Sequence, residues 1–323
     1  MHSDWQNYAN ALNTSASIDP AQTPLLCFPA GFALLSVSGE DRHAFLHGQL
    51  INDLNLIKEP GAQLSGWCNP RGQLITNFLV VNTGTAYLLL FRKELLDYVL
   101  KRLNMFVLRA NVTVEDITET TPLLGIANCE DPGLLDAGNS NTPGAVSAHD
   151  GVISVCLPEQ SQRYLLLGNV ETQVAKTTAL QQALTLTGAD TWALLDIMAG
   201  IPWISSATQE KFLPQMLNLD FLNGLSYKKG CYPGQEVIAR LHYRGEVKRR
   251  MQLVKSEAKL VEGMVIKSQD NNAGTVINSA IDSEGNAVAL AVIDLDKLDN
   301  NLYPDNTPDT AIQVLPLPYA DHG

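Results

Sequence analysis

One short segment of the chain places a thiol and two lysines at a tight turn. It reads Lys229-Gly-Cys-Tyr-Pro-Gly-Gln-Glu236. Cys231 precedes a helix predicted to start near Pro233 and is flanked by Lys228 and Lys229, so aligned backbone N–H groups and positive charge both favour a lowered pKa. A thiol in this position suits a nucleophile, a transient metal or sulfur ligand, or a redox sensor. The alternative is a buried cysteine at a structural turn.

The same region is basic in an acidic chain. Residues 228–250 contain seven basic and two acidic residues, whereas the whole chain has 22 Lys and Arg against 34 Asp and Glu and a net charge of −12. General nucleic-acid binding depends on a basic surface that neutralises phosphates, so the overall charge disfavours it. Any RNA contact would have to use a local basic patch such as residues 228–250. The alternative is an ordinary solvated helix face.

The sequence lacks the motifs of several other classes of enzyme. There is no GxGxxG after a strand, no GxxxxGK[ST] and no HExxH, which disfavours nucleotide-driven and zinc-hydrolase activity. His43 and His47 have helical metal spacing without a third ligand in register, so no metal is expected. The five cysteines form no CxxC pair, which argues against a disulfide framework. With no signal-peptide pattern and apolar runs far below the roughly 20 residues of a membrane helix, the expected location is cytoplasmic.

The elements that must position these residues are mixed helices and strands. The first half predicts the order strand, helix, three strands, helix, strand, which is an α+β pattern close to a split βαβ unit. The strands are expected at Phe32–Val37, three times within Gln63–Phe91 and at Val112–Ile117, and the helices at Ser38–Leu50 and Leu95–Leu103. The chain is long enough for more than one packed unit.

The second half predicts a similar module and then an all-β module. Strands are expected at Leu123–Ala127, Val152–Cys156 and Tyr164–Leu167, helices at Val170–Leu186 and Thr191–Ala199, and a polar connection at Asn139–Gly151. Short strands at turn-rich spacing after Met251 predict an antiparallel β-barrel. The expected domains are an extension over 1–29, α+β modules over 30–118 and 119–250, and the barrel over 251–323.

The segment around Cys231 resembles a known signature. It is similar to the K-G-C-[YF]-x-G-Q-[DE] pattern of the YgfZ family, which is related to the glycine-cleavage T-protein, an aminomethyltransferase. The similarity runs from about residue 30 to the end of the chain. Its further matches are Gly48–Asp53, Asn69–Gly72, Phe212–Gln215, Asn218, Leu219, Arg240 and Arg244-Gly245.

The resemblance implies a fold and a cofactor. The implied fold is a ring of interleaved ferredoxin-like modules with a C-terminal β-barrel, and the implied ligand is tetrahydrofolate or a derivative. Trp192 and Phe32 match the family positions that lie against the folate, although a Trp is common at the position of Phe32. A flat pterin ring stacks on aromatic side chains. The alternative for both residues is an ordinary core aromatic.

The resemblance also makes Cys231 the predicted functional thiol and implies roles for its neighbours. Lys228, Lys229 and Arg240 would lower the pKa of the thiol or bind an anion, such as the folate tail. Gln235 and Glu236 would orient the loop.

The implied function is a folate-binding accessory protein for iron–sulfur enzymes, especially the radical enzymes that thiolate or methylthiolate tRNA. This favours an accessory factor over an enzyme with its own turnover. Two alternatives are a folate-dependent aminomethyl transferase and a direct tRNA-binding protein. The T-protein uses an Asp in a G-x-[VI]-x-D-D-like stretch, where this chain has Thr76 and Asn77. Neither side chain can act as an anionic base, which disfavours transfer.

Overall fold

The computed structural model describes residues 2–12, 20, 23–129, 142–158 and 162–319. The chain forms two compact units, each built from separate stretches of sequence. The first contains residues 1–46, 54–63 and 78–192, and the second contains residues 47–53, 64–77 and 193–323. Both contain helices and strands, which confirms the predicted α+β class.

Six α-helices and seventeen strands lie within the described ranges. The helices are α1 (His2–Ala11), α2 (Arg42–Gln49), α3 (Leu96–Val107), α4 (Val170–Leu180), α5 (Ala189–Met198) and α6 (Gln235–Arg244). The first eleven strands are β1 (Leu25–Cys27), β2 (Phe32–Ser38), β3 (Gly61–Cys68), β4 (Leu74–Asn82), β5 (Tyr87–Arg92), β6 (Thr113–Asp116), β7 (Leu123–Ala127), β8 (Val146–His149), β9 (Val152–Cys156), β10 (Arg163–Gly168) and β11 (Thr185–Thr187). The remaining strands are β12 (Arg249–Ser256), β13 (Val265–Ser268), β14 (Asn271–Ile281), β15 (Ala287–Asp294), β16 (Tyr303–Pro304) and β17 (Gln313–Leu315).

A five-stranded sheet follows the predicted order of elements. Its strand order is β3-β4-β5-β2-β6, and β2 pairs antiparallel with both β5 and β6. Every residue of β4 is buried, as expected for the largely apolar run Leu-Ile-Thr-Asn-Phe-Leu-Val-Val-Asn. Helix α3 buries Val99 and Leu103 on one face, which is the amphipathic face that the sequence predicts.

A six-stranded sheet in the first unit has the order β11-β1-β7-β10-β9-β8. Strands β7, β9 and β10 lie where the apolar runs predict them, and they pair antiparallel. The core on this sheet includes Leu26, Ile126, Tyr164 and Leu166, together with Leu180 at the end of α4. The apolar runs therefore specify the centre of the sheet.

The predicted helix over Val170–Leu186 is wrong in its last third. Helix α4 ends at Leu180, and β11 follows as a strand parallel to β1. The sequence Thr-Leu-Thr has the β-branched residues typical of a strand, and its partner Leu25–Cys27 is too short and too distant in sequence to be predicted. Long-range pairing therefore overrides the local helical pattern.

The polar stretch Asn139–Gly151 is also partly wrong as a connection. Residues 139–141 lie outside the described residues. Residues Val146–His149 form β8, which pairs antiparallel with β9 from Val146–Val155 to His149–Val152. Pairing to an established strand explains why a weakly apolar segment becomes an edge strand.

The C-terminal strands form one curled antiparallel sheet in the order β16-β13-β14-β15-β12-β17. Strands β12 and β15 pair in continuous register from Arg249–Asp294 to Ser256–Ala287. A bridge between Leu302 and Ile312 links the residues just before β16 and β17, the two edge strands. This sheet confirms the prediction that the C-terminal region is built mainly from antiparallel strands. The ring of ferredoxin-like modules stays a prediction.

Within the described residues, no helix combines the length and apolar character needed to cross a membrane.

Candidate functional site

Cys231 lies in the loop that leads into α6. Gly234 directly precedes the helix with φ of 83°, and α6 begins at Gln235, close to the predicted start. The Cys231 side chain is exposed, whereas Cys27, Cys68, Cys129 and Cys156 are buried. The chain therefore presents one thiol to solvent, and it is the one in the family signature.

The ammonium of Lys229 anchors this loop. Lys229 is only 7% exposed, and its Nζ donates to the carbonyl oxygens of His47 at 2.5 Å, Leu50 at 2.5 Å and Asn52 at 3.2 Å. These acceptors lie in the last turn of α2 and the turn after it, where carbonyl groups lack helical partners. The side chain thus joins the Cys231 loop to the Gly48–Asp53 segment.

Burial changes the ionisation of this lysine. It lowers the pKa of Lys229 to about 8, and the Asp53 carboxylate opposes the shift. The amine stays largely protonated at pH 7, so it has three N–H groups for three carbonyl acceptors. Its Nζ also lies 5.2 Å from the ring centroid of Tyr232, a cation–π distance. Lys229 is directed to backbone carbonyls, a role that sequence reasoning missed.

Asn52 fixes the turn that receives Lys229. Its Nδ2 donates to the carbonyl oxygens of Leu64 at 2.8 Å and Asn223 at 2.7 Å. Its Oδ1 accepts from the backbone N–H of Asp53, and its own N–H donates to Ser65. Because each of these bonds involves a buried or partly buried group, Asn52 holds the carbonyl acceptors of Lys229 in place.

The Asn69–Gly72 turn contacts the start of α6. Asn69 Oδ1 accepts from the backbone N–H groups of Arg71 and Gln73 at 2.9 and 3.1 Å. A Cβ on Gly234 would lie 2.6 Å from both the Asn69 carbonyl oxygen and Gly72 Cα. Only glycine tolerates both this approach and the positive φ at position 234.

The segment over residues 212–219 supports α6 from another side. Gln215 Nε2 donates to the Ile238 carbonyl oxygen at 2.9 Å, and Asn218 Nδ2 donates to the Met251 carbonyl oxygen at 2.9 Å. Arg250 makes a bidentate pair with Asp220 at 2.9 and 3.0 Å. The segments that carry the family resemblance therefore converge around the base of α6.

The remaining predicted residues of this segment lie at its surface. Lys228, Glu236 and Arg240 are exposed, and Gln235 is half-buried. Glu236 is in the first turn of α6, where a carboxylate complements the helix dipole. The backbone N–H of Gln235 donates to the Tyr232 carbonyl oxygen at 3.3 Å, which closes the turn that contains Pro233.

Phe32 lines a cavity of about 350 Å³ within the first unit. Trp5 and Phe28 supply further aromatic wall, and Trp5 packs on Phe28 with ring centroids 5.7 Å apart. A Lys93–Glu119 ion pair at 2.8 Å also borders the cavity. Trp5 and Phe28 were not predicted, because each is a lone aromatic without a motif around it.

Trp192 is a packed side chain. It is 2% exposed, and the Arg163 guanidinium carbon lies 5.0 Å from its ring centroid. Gly125 packs closely against the six-membered part of the indole ring. A Cβ on Gly125 would lie 2.4 Å from the ring. The cavity reaches Gly188 and Ala189, which precede Trp192 in and just before α5. The two predicted folate aromatics thus differ, since Phe32 borders open space and Trp192 is enclosed.

Replacing the anchoring lysine tests its structural role. We expect Lys229→Met to lower the free energy of unfolding by about 2–4 kcal/mol, because it leaves three buried carbonyl groups without their donor. Lys228→Met is the matched control, and its exposed side chain should change stability by less than about 0.5 kcal/mol. Urea unfolding of both variants measures the difference, and equal effects would contradict the anchoring role.

Two similar proteins of known name are both YgfZ proteins. The chain is 30% identical over 298 residues to the tRNA-modifying protein YgfZ of Pectobacterium atrosepticum, covering 89% of each chain. It is 32% identical over 229 residues to YgfZ of Colwellia psychrerythraea, covering 70% of each. No protein-family model matches the chain.

A solved structure shares the fold. Glycine cleavage system aminomethyltransferase T from Bartonella henselae matches with a TM-score of 0.77 at 14% identity, over 92% of this chain and 86% of that one. This likeness confirms the predicted relation to the T-protein at the level of fold. Together with the sequence identities, it shows that the chain belongs to the YgfZ family of tRNA-modifying proteins and has an aminomethyltransferase-like fold.

Proposed function

We propose that this protein is a cytoplasmic, folate-binding accessory factor for iron–sulfur enzymes that thiolate or methylthiolate tRNA, and that Cys231 is its functional thiol. The observation that carries the proposal is the exposed Cys231 in a loop whose neighbours are fixed. Lys229 binds three carbonyl groups on one side of the thiol, and Gly234 packs on the Asn69–Gly72 turn on the other. A fixed, accessible sulfur suits a nucleophile or transient ligand that a client enzyme must reach.

The cavity beside Phe32 supports folate as the ligand. Its size of about 350 Å³ lies in the range of small-molecule sites, and its aromatic wall suits a flat pterin ring. The Lys93–Glu119 pair offers both a donor and an acceptor to a polar heterocycle. Tetrahydrofolate, when bound, is a carrier of one-carbon groups. Lys228 and Arg240 stay the predicted contacts for an anion, and both are exposed.

The local structure disfavours the aminomethyl transferase alternative. Asn77 stands where the T-protein pattern has a carboxylate, and it is 1% exposed. Its Nδ2 donates to the Pro202 carbonyl oxygen at 2.7 Å, and its Oδ1 accepts from the Ile204 N–H at 2.8 Å. Both ends of the amide therefore hold the backbone, and the amide cannot accept a proton as a carboxylate would.

The thiol proposal predicts a specific loss of function. Cys231→Ala should abolish tRNA thiolation in cells that depend on the variant, while its urea midpoint stays at the wild-type value because the side chain is exposed. Mass spectrometry of nucleosides from total tRNA measures the thiolated fraction. Cys68→Ala is the matched control, since it removes a buried thiol from the same unit and should keep thiolation. Wild-type thiolation in Cys231→Ala would overturn the proposal.

The folate proposal predicts a binding site at Phe32. Calorimetric titration of the wild-type protein with tetrahydrofolate should show binding, and Phe32→Ala should weaken it by about 3- to 10-fold through lost stacking. Phe32 is a better test than Trp192, whose replacement would open a cavity in the core. Phe106→Ala, at a partly exposed position on α3, should bind folate as the wild type does. Absence of binding, or equal binding by Phe32→Ala, would contradict the assignment.

A further inference from the structure

An aromatic cluster lies on the last turn of α6 and the loop before Cys231. The ring of Tyr227 stacks on the ring of His242, with centroids 3.7 Å apart and planes 10° from parallel. Tyr243 lies beside both rings at steep angles, 64° to Tyr227 and 71° to His242. Tyr243 is 67% exposed and His242 is also exposed, so the cluster offers aromatic surface to solvent. We call these three residues with Arg244 the α6 platform.

Basic residues flank the α6 platform in sequence. Within the part of the chain that the structure describes, three of the seven basic residues in 228–250 have partners: Lys229 binds carbonyl groups, Arg249 pairs with Asp294 and Arg250 pairs with Asp220. The other four are exposed, and they are Lys228, Arg240, Arg244 and Lys248. Only two acids, Glu236 and Glu246, lie in the same stretch of sequence. The stretch 228–250 therefore carries a net positive charge in a chain of net charge −12.

We propose that the α6 platform binds an unpaired segment of tRNA. Exposed aromatic rings on which bases stack, combined with cationic groups that contact phosphates, are the features of single-strand nucleic-acid sites. A paired stem would hide its base faces from Tyr243, so an unpaired segment fits the exposed ring. This inference rests on the proposed role in tRNA modification and adds direct recognition of the RNA to it.

The platform has a rigid base for this task. Tyr227 is half-buried, and burial together with the nearby Asp220 carboxylate raises its pKa to about 12, so it stays an uncharged ring against which His242 can stack. His242, Tyr243 and Arg244 project from a continuous helix held at its start by Gly234 and at Ile238 by Gln215. Stacking on a preorganised ring costs less conformational entropy than ordering a mobile one.

The test uses RNA binding without folate. Fluorescence anisotropy with a labelled hairpin of tRNA anticodon-arm sequence should show binding to the full-length protein at low salt. Tyr243→Ala should weaken binding by about 5- to 100-fold, as expected for the loss of one stacked base. Arg244→Gln should reduce the slope of log K against log salt by about 0.7, the value for one phosphate contact on a single strand.

Matched variants come from α3, which carries an exposed Tyr98 with Arg102 5.7 Å from its ring centroid. Tyr98→Ala and Arg102→Gln should bind the hairpin as the wild type does. A fully paired duplex of equal length should bind more weakly than the hairpin. No hairpin binding, equal loss in Tyr98→Ala and Tyr243→Ala, or stronger duplex binding would each overturn the inference. Folate titration of Tyr243→Ala separates the two proposals, because folate binding should be unchanged there even if RNA binding fails.

Discussion

The buried ammonium of Lys229 is the interaction on which the site depends. A protonated amine that is 7% exposed needs acceptors, and the chain supplies three carbonyl groups at the end of α2 and in the turn after it. Those carbonyl groups in turn lack helical partners and need a donor. The ammonium and the carbonyl groups therefore satisfy each other's hydrogen bonding. As a result Lys229, two positions before Cys231, is fixed to a segment about 180 positions away in the sequence.

Several residues of the segments that carry the family resemblance serve this construction. Gly234 and Gly72 allow two turns to touch, Asn52 holds the acceptors of Lys229, and Gln215 holds α6 at Ile238. None of these groups needs to act on a substrate, because each is used in an internal contact. Cys231 differs from them in being exposed. The contrast between neighbours fixed by internal contacts and an exposed Cys231 sulfur is the physical basis for the proposed role of the thiol.

Local patterns predicted much of the fold and less of the site. Strands β7 and β9 lie where their apolar runs place them, because such runs specify burial without knowledge of a partner. Strands β1 and β11 were missed, since each has three residues and depends on the other across about 160 positions. The start of α6 was predicted from the segment itself, and the role of Cys231 stays a prediction. The hydrogen bonds of the Lys229 ammonium were not predicted. Their acceptors are carbonyl groups of residues 47–52, and no local sequence pattern shows that those residues lie near Lys229.

The most direct measurement is amide hydrogen exchange of Lys229→Met compared with the wild type, followed by mass spectrometry of peptides. The account predicts faster exchange in two segments together, residues 47–53 and 229–234, because one side chain fixes both. Peptides from β12 and β15, which pair in continuous register, should keep wild-type protection. Unchanged exchange in both segments, or a change in only one of them, would contradict the claim that the Lys229 ammonium holds the Cys231 loop in place.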